Sequence, residues 1–504
     1  MDPDAGSTGS VQTLDPIKDA APEIPSGGLV SAPIGTFAAI VVAIRSAIRG
    51  RPSLPFAGFP ARHGRLTYAP IAGIVLLALV MATRYIYHVI SDPAALGVWW
   101  IGNAALLFLV YTFFKNGRVR PQPTATGRIV AIVPAHEQDD DDLNACVWSI
   151  LNQRGVVVKE VHVVDDGSTE LPVRPFSHSR VRWHRTRHGG GHAAAGYVLD
   201  RLQPEDWDFV LIVDGACVLA ERSVERQLRA FSRARVTATT GLVIDRDPRR
   251  NLLSRISDLN LGALSAISVA GWSSVCLLKT VSDAPVLYRA AIPFQHRRRH
   301  LAGGGYADSR RLAMDAALAG AVVGVSNAVA WTSSAAHVPT AYRRRLSWST
   351  SWWRLLRLAL TSADSRRGVR CRLFGLAHLA VVPVATGYAL TSLATNGWHG
   401  VPAATIVLYV ALYLLLRYAA TALYLIEDPA TSRGRKLTTW LLLTPAEAVY
   451  HLLFVIPIKY VALIRLCARG RSRWPEHIAA PAEPLMAGPG AVYYSGYLPD
   501  GRGS

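Results

Sequence analysis

The chain has 504 residues, half of them apolar, and a mean hydropathy of +0.22. That is too apolar for an ordinary soluble enzyme and long enough for one catalytic domain plus a membrane part. The net charge of +19 would suit nucleic acid, but its placement excludes that partner. Arg62, Arg65, Lys115, Arg118 and Arg120 bracket one pair of apolar segments; Arg366, Arg367, Arg370 and Arg372 precede another; Arg433, Arg435 and Lys436 precede a third. Basic residues crowded beside apolar spans are the positive-inside pattern, so the partner is a lipid bilayer. The five cysteines show no metal-binding spacing and suit a reduced cytosolic face.

Residues 1–28 are acidic, polar and rich in Pro and Gly, lack a secretory signal pattern and read as disordered. Residues 29–48 are apolar but interrupted by Pro33, Gly35 and Arg45, which fits either a span or an interfacial helix. Together these belong to an N-terminal cytosolic region, 1–66. Residues 70–86 and 96–114 each approach the ~20 residues a span needs, giving two transmembrane helices within 67–116. Tyr85, Tyr87, Trp99, Trp100, Phe113 and Phe114 stand near their ends as an aromatic belt. The link at Ser91-Asp92-Pro93 carries no Lys or Arg and is placed outside, which puts residue 115 onward in the cytosol.

Between 120 and 340 the long apolar runs give way to alternating elements. A strand over 129–133 ends at Pro134, and a helix follows over 143–151 with Asp141 or Asp142 as its cap. Then come a strand over 161–164, a turn at Gly189-Gly190-Gly191, a helix over 193–202 and a strand over 209–213. This order predicts an α/β domain with a mostly parallel, Rossmann-like sheet, inserted between transmembrane helices. Residues 341–370 combine Arg343-Arg344-Arg345 with Trp348, Trp352 and Trp353, as amphipathic helices at a membrane interface do. Spans are expected over 373–393 and 401–424. A third apolar stretch, 437–466, is broken by Pro445 and Pro457 and fits either one span or two short helices. These make up a C-terminal transmembrane region, 371–468, before a disordered cytosolic tail, 469–504. The whole reads as a multi-pass protein of the plasma membrane with its catalytic domain in the cytosol.

Two of the strands run straight into acid, at Asp165-Asp166-Gly167-Ser168 and at Asp214-Gly215-Ala216. Carboxylates at the carboxyl ends of parallel strands stand where open α/β sheets bind ligands. With these two, several further segments resemble, in order over residues 70–475, the motifs of the processive family 2 glycosyltransferases, of the hyaluronan, chitin and cellulose synthase type. The resemblance implies a GT-A glycosyltransferase fold.

Val133-Pro134-Ala135-His136-Glu137-Gln138 resembles the VPAYNE loop, which implies that Pro134 and His136 close on the donor base. Asp165, Asp166 and Gly167 match DDGS, which binds base and ribose. His188-Gly189-Gly190-Gly191-His192 resembles GKxxA, with His192 in place of the Lys. Asp214-Gly215-Ala216 stands at DxD and implies a Mg²⁺ or Mn²⁺ ion held by Asp214, although the second Asp is Ala216. Mg²⁺ is often held by one or two carboxylates plus substrate phosphates.

Ser282, Tyr288 and Arg289 match the SGPxxxYR segment that lines the acceptor channel. Gly305-Tyr306-Ala307-Asp308-Ser309-Arg310 resembles GDDRxLT, whose acid is the general base. The alignment places Ser309 there, and a shift of one residue places Asp308. Arg344 and Trp348 fall in the QQxRW segment, Arg344 toward the diphosphate and Trp348 against the acceptor sugar. Arg473-Trp474 resembles the WGTR tail.

The resemblance implies metal-assisted, inverting transfer of a sugar from a UDP-sugar to a polysaccharide or lipid-linked acceptor. The joint departures at Ala216, Ser309, Arg344 and Ser347 leave a second reading open: a weakened scaffold or partner subunit that binds nucleotide or polymer without efficient transfer.

Overall fold

The computed structural model describes residues 123–171, 173–246, 251–270, 285–301, 309–332, 335, 337–361, 403–428 and 431–468. The expected spans at 70–86, 96–114 and 373–393, the segment 29–48, both termini, Ser282 and Asp308 lie outside them.

The first strand, β1 (Ile129–Ala135), is apolar throughout, and its alternate side chains serve two different layers. Ile129, Ala131 and Val133 face one cluster with Leu143, Cys146, Val147 and Ile150 of α1 (Asp140–Leu151). Val130 and Ile132 face the other, against Ala194, Ala195, Val198 and Leu199 of α2 (Gly191–Leu199). A strand covered on both faces needs a continuous apolar run rather than an alternating one. Three acids, Asp140, Asp141 and Asp142, occupy the first turn of α1, where the helix dipole favours negative charge.

Beside β1 lie β2 (Glu160–Asp166) and β4 (Phe209–Ile212), both parallel to it, and β3 (Val181–Thr186) runs parallel to β2. The other half of the sheet uses β5 (Val218–Leu219), β6 (Val236–Asp245), β7 (Val286–Arg289) and β8 (Ala321–Thr332), in the order β3-β2-β1-β4-β7-β6-β8-β5. Strand β7 is antiparallel to both β4 and β6, β5 is antiparallel to β8, and β6 pairs parallel with β8. The sheet is therefore mixed but mostly parallel, as expected: β1, β2, β3, β4, β6 and β8 run one way, and β5 and β7 run against them. A four-residue strand such as β7 takes its direction from where the chain re-enters the sheet, and its own residues do not encode that. Four further helices complete the domain: α3 (Ser223–Ala230), α4 (Leu252–Ala270), α5 (Ala291–Leu301) and α6 (Ser309–Ala319).

The basic, aromatic segment forms one helix, α7 (Val338–Thr361), which packs on α6. Two C-terminal helices, α8 (Ala403–Glu427) and α9 (Arg433–Tyr450), seat against α4. Leu259, Ala263 and Ala266 of α4 share a cluster with Leu423, Tyr424 and Leu443. Gly262 permits this approach: a Cβ there would lie 2.4–2.5 Å from ring atoms of Tyr424.

A five-residue π turn, His451–Val455, joins α9 to α10 (Ile456–Ala468). Neither proline breaks the run. Pro445 cannot donate to the Leu441 carbonyl, and the Tyr418 hydroxyl of α8 donates to that oxygen instead, at 3.0 Å. Pro457 follows the π turn, a common site of helix adjustment. The 35-residue run Gly434–Ala468, whose most apolar 18-residue stretch has a mean hydropathy of 1.8, is the one helix among the described residues long and apolar enough to cross a membrane.

Candidate active site

Strands β1, β2, β3 and β4 all end on one edge of the sheet, so the loops after them converge there. Pairing of β4 with β1 continues past the strand, Val213 N donating to Ile132 O and Gly215 N to Pro134 O, which places Asp214 beside the Pro134 loop.

Asp165 and Asp166 are both buried, at 5% and 2% exposure. The Asp165 carboxylate accepts from Ser168 N at 2.9 Å and lies 3.6 Å from Arg185 Nη1. The Asp166 carboxylate accepts from Gly189 N at 2.9 Å and Gly190 N at 2.8 Å. The acids thus shape the loops at the site: Asp165 closes the turn after β2, and Asp166 anchors the glycine turn before α2. Gly167, at φ +70°, makes that packing possible, since a Cβ there would stand 2.7 Å from His188 N.

His136 extends from β1 and stacks on His188, ring centroids 4.2 Å apart. Its Nδ1 lies 2.9 Å from the Asp166 carbonyl oxygen. Glu137 takes a left-handed conformation, φ 45°, and its carboxylate accepts from the backbone N–H groups of Thr169, Glu170 and Leu171. Those donors, Thr169 first and Leu171 next, hold its carboxyl down at about 2. Its own N–H donates to Ser168 Oγ, so the β1 and β2 loops are tied reciprocally. Pro134 packs near Gly191, the first residue of α2; His192 is the second.

Asp214 is exposed, and its Oδ1 accepts from Ala216 N at 2.9 Å. No second carboxylate stands two residues on. Burial, with Asp214 nearby, pushes the Cys146 thiol up, so it is an inert packing group beneath the site.

A family described as glycosyl transferase family 2 matches residues 130–272, the segment that builds this edge. The chain is a glycosyltransferase, and its residues 130–272 are similar to family 2. The chain resembles the hyaluronan synthase of Streptococcus pyogenes, 22% identical over 402 residues, 75% of this chain and 91% of that protein. The hyaluronan synthase of serotype M3 is 22% identical over 366 residues, 69% and 82% of the two chains. Among solved structures, the mannosyltransferase PcManGT from Pyrobaculum calidifontis, in complex with GDP-Man and Mn²⁺, aligns with a TM-score of 0.44 at 17% identity. The alignment covers 71% of this chain and 98% of that one.

The glycosyltransferase domain thus gathers Pro134, His136, Asp165, Asp166, Gly167 and Asp214 at one edge. It places two other expected residues elsewhere. Tyr288 is 1% exposed and packs with Leu312 and Ala316 in the core. Arg289 pairs with Phe209, at the opposite end of β4 from Asp214. Its guanidinium donates to the Val236 and Phe231 carbonyls.

Trp348 lies on α7 with the guanidinium carbons of Arg344 and Arg345 at 5.2 and 5.1 Å from its ring centre, helix neighbours four and three residues away. Ser309 opens α6. Two residues that shape the site, Glu137 and His188, were not legible as such. Each sits inside a quoted motif, but its partners arrive from another strand.

Proposed function

We propose that this glycosyltransferase moves a sugar from a UDP-sugar to a growing polysaccharide or lipid-linked acceptor, with inversion, at the edge formed by β1, β2 and β4. The observation that carries the reading is the exposed Asp214 beside the Pro134-His136 loop and the buried, loop-anchoring Asp165 and Asp166. A nucleotide entering there meets an imidazole face at His136, rigid loop backbone at 165–168 and a carboxylate at Asp214. The resemblance to the hyaluronan synthases supports the polysaccharide acceptor.

Asp214 would hold a Mg²⁺ or Mn²⁺ ion, which would offset charge on the leaving diphosphate. Asp308, just before α6, takes the proton from the acceptor hydroxyl. Arg344 and Trp348 serve the diphosphate and the acceptor sugar, and Ser282 the acceptor path. The flanking apolar segments support a multi-pass chain in the plasma membrane with this domain in the cytosol.

Ala216 favours the second reading, a synthase-like scaffold or partner subunit that binds without efficient transfer, because only a backbone N–H there meets Asp214.

Purified in detergent with Mg²⁺ or Mn²⁺, the protein is expected to release UDP from one of UDP-GlcNAc, UDP-GlcA or UDP-Glc. Asp308→Asn should lower that release ~10²–10⁴-fold, and Asp214→Asn should abolish its metal dependence. Nucleotide binding without release from any donor would establish the scaffold reading.

A further inference from the structure

The site edge holds a second set of donor atoms besides the carboxylate of Asp214. The loop after β1 brings His136, and the loop after β3 brings His188, to the carboxyl end of β2. Their Nδ1 atoms converge on Asp166: that of His136 is 2.9 Å from the Asp166 carbonyl oxygen, and that of His188 is 3.2 Å from the same oxygen and 3.0 Å from Oδ2. The two ring nitrogens and the carboxylate oxygen all lie within 4.8 Å of one another. A tetrahedral ion with bonds of about 2.0–2.1 Å sets its ligand atoms about 3.3 Å apart. Modest rotation of two exposed imidazoles reaches that spacing.

The third ligand is already fixed. Asp166 is 2% exposed, and its carboxylate is oriented by the Gly189 and Gly190 N–H groups. Partners of that kind behind a ligand set its direction and its basicity. Both imidazoles face solvent, so the remaining coordination positions open onto the edge where the nucleotide enters.

Two imidazoles and one carboxylate select a borderline ion of the zinc class, whereas Mg²⁺ and Ca²⁺ prefer oxygen alone. The set therefore differs in kind from the single carboxylate at Asp214, which follows β4, two strands from β2. We propose that His136, His188 and Asp166 form a zinc-class metal site, separate from Asp214, with an open position toward the donor cleft. Binding replaces the protons on the two Nδ1 atoms, which otherwise donate to Asp166.

The test uses tag-free, full-length protein in detergent, stripped with EDTA and titrated with Co²⁺, then with Zn²⁺. One equivalent of Co²⁺ should bind with visible ligand-field bands, and Zn²⁺ should displace it. His136→Gln and His188→Gln, which keep an N–H donor toward the Asp166 carbonyl, should each weaken binding at least ~10-fold. Asp214→Asn should bind as the parent does. X-ray absorption of the zinc-loaded parent, which needs no variant to fold, should count two imidazoles on the ion. Fewer imidazoles, no retained equivalent, or binding lost in Asp214→Asn and kept in both histidine variants would overturn the proposal.

Discussion

Glu137 shows how one side chain can set the shape of a binding edge. It sits between the donor loop and the DDGS turn, and its carboxylate collects three backbone N–H groups from Thr169 to Leu171. The folded state holds its pKa at about 2, below the ordinary 4.5. Its contribution is therefore complete above pH 4.5 and is lost as pH falls toward 2. Glu137→Gln keeps one acceptor oxygen and loses the charge. Hydrogen exchange should then accelerate at the amides of residues 169–171 and stay unchanged across β1; equal protection in parent and variant would show that the carboxylate does not hold the loop. The acid pair reads differently once folded. The sequence marks Asp165 and Asp166 as ligand contacts because they end a buried strand, but both carboxylates accept local backbone N–H groups. Which lone pairs remain for a ligand depends on residues 20 or more positions away, such as Gly189 and Gly190.

Strands β2 and β3 carry a histidine pair at the edge of the sheet. His184 Nε2 lies 3.0 Å from His162 Nδ1, and the His162 Nε2 lies 3.1 Å from Glu160. Burial, with His162 and the cations of Arg201 and Arg182 adding to it, pushes His184 down to about 4 from 6.5. Folding thus disfavours its protonation. Stability from this group is complete above pH 6.5 and declines as pH falls toward 4, by on the order of 3 kcal/mol in full. His184→Gln should flatten the fall in melting temperature between pH 7 and pH 5; parallel curves would remove His184 as the cause. The α8–α9 pair offers a second check. Tyr418→Phe strands the Leu441 carbonyl opposite Pro445, and thermal unfolding in detergent should show a loss of about 1 kcal/mol. The apolar run 437–466 was legible as helix from composition, whereas its continuity through two prolines was not, because the compensating hydroxyl belongs to another helix.

The glycosyltransferase domain is joined to the C-terminal helices through a buried polar seam. Arg417 of α8 pairs with Glu447 of α9, and Asn260 of α4 donates to the same carboxylate at 2.7 Å. Nearby, Arg255 pairs with Asp258 at 2.7 Å and donates to Thr439, and the Tyr424 hydroxyl donates to Asp258. Removing one partner of such a pair leaves a buried charge uncompensated, at about 3–5 kcal/mol, whereas replacing both with apolar groups is often neutral. Glu447→Ala should therefore lower the melting temperature sharply and speed proteolysis between the domain and the helices. Arg417→Met with Glu447→Leu should recover most of the loss. A double variant no better than the single one would mean that the charges themselves hold the seam.

By itself the sequence determined the α/β domain, the acid-tipped strands and the glycosyltransferase motifs, because strand burial and turn chemistry are local and periodic. Residues 129–135, 160–166 and 209–212 fold where their apolar runs predict. Only the tertiary structure decided the mixed sheet, the seating of α8 and α9 on α4 and the convergence of His136, His188 and Asp166. Those features depend on pairings between residues tens to hundreds of positions apart, whose energies exist only after the chain has brought them together.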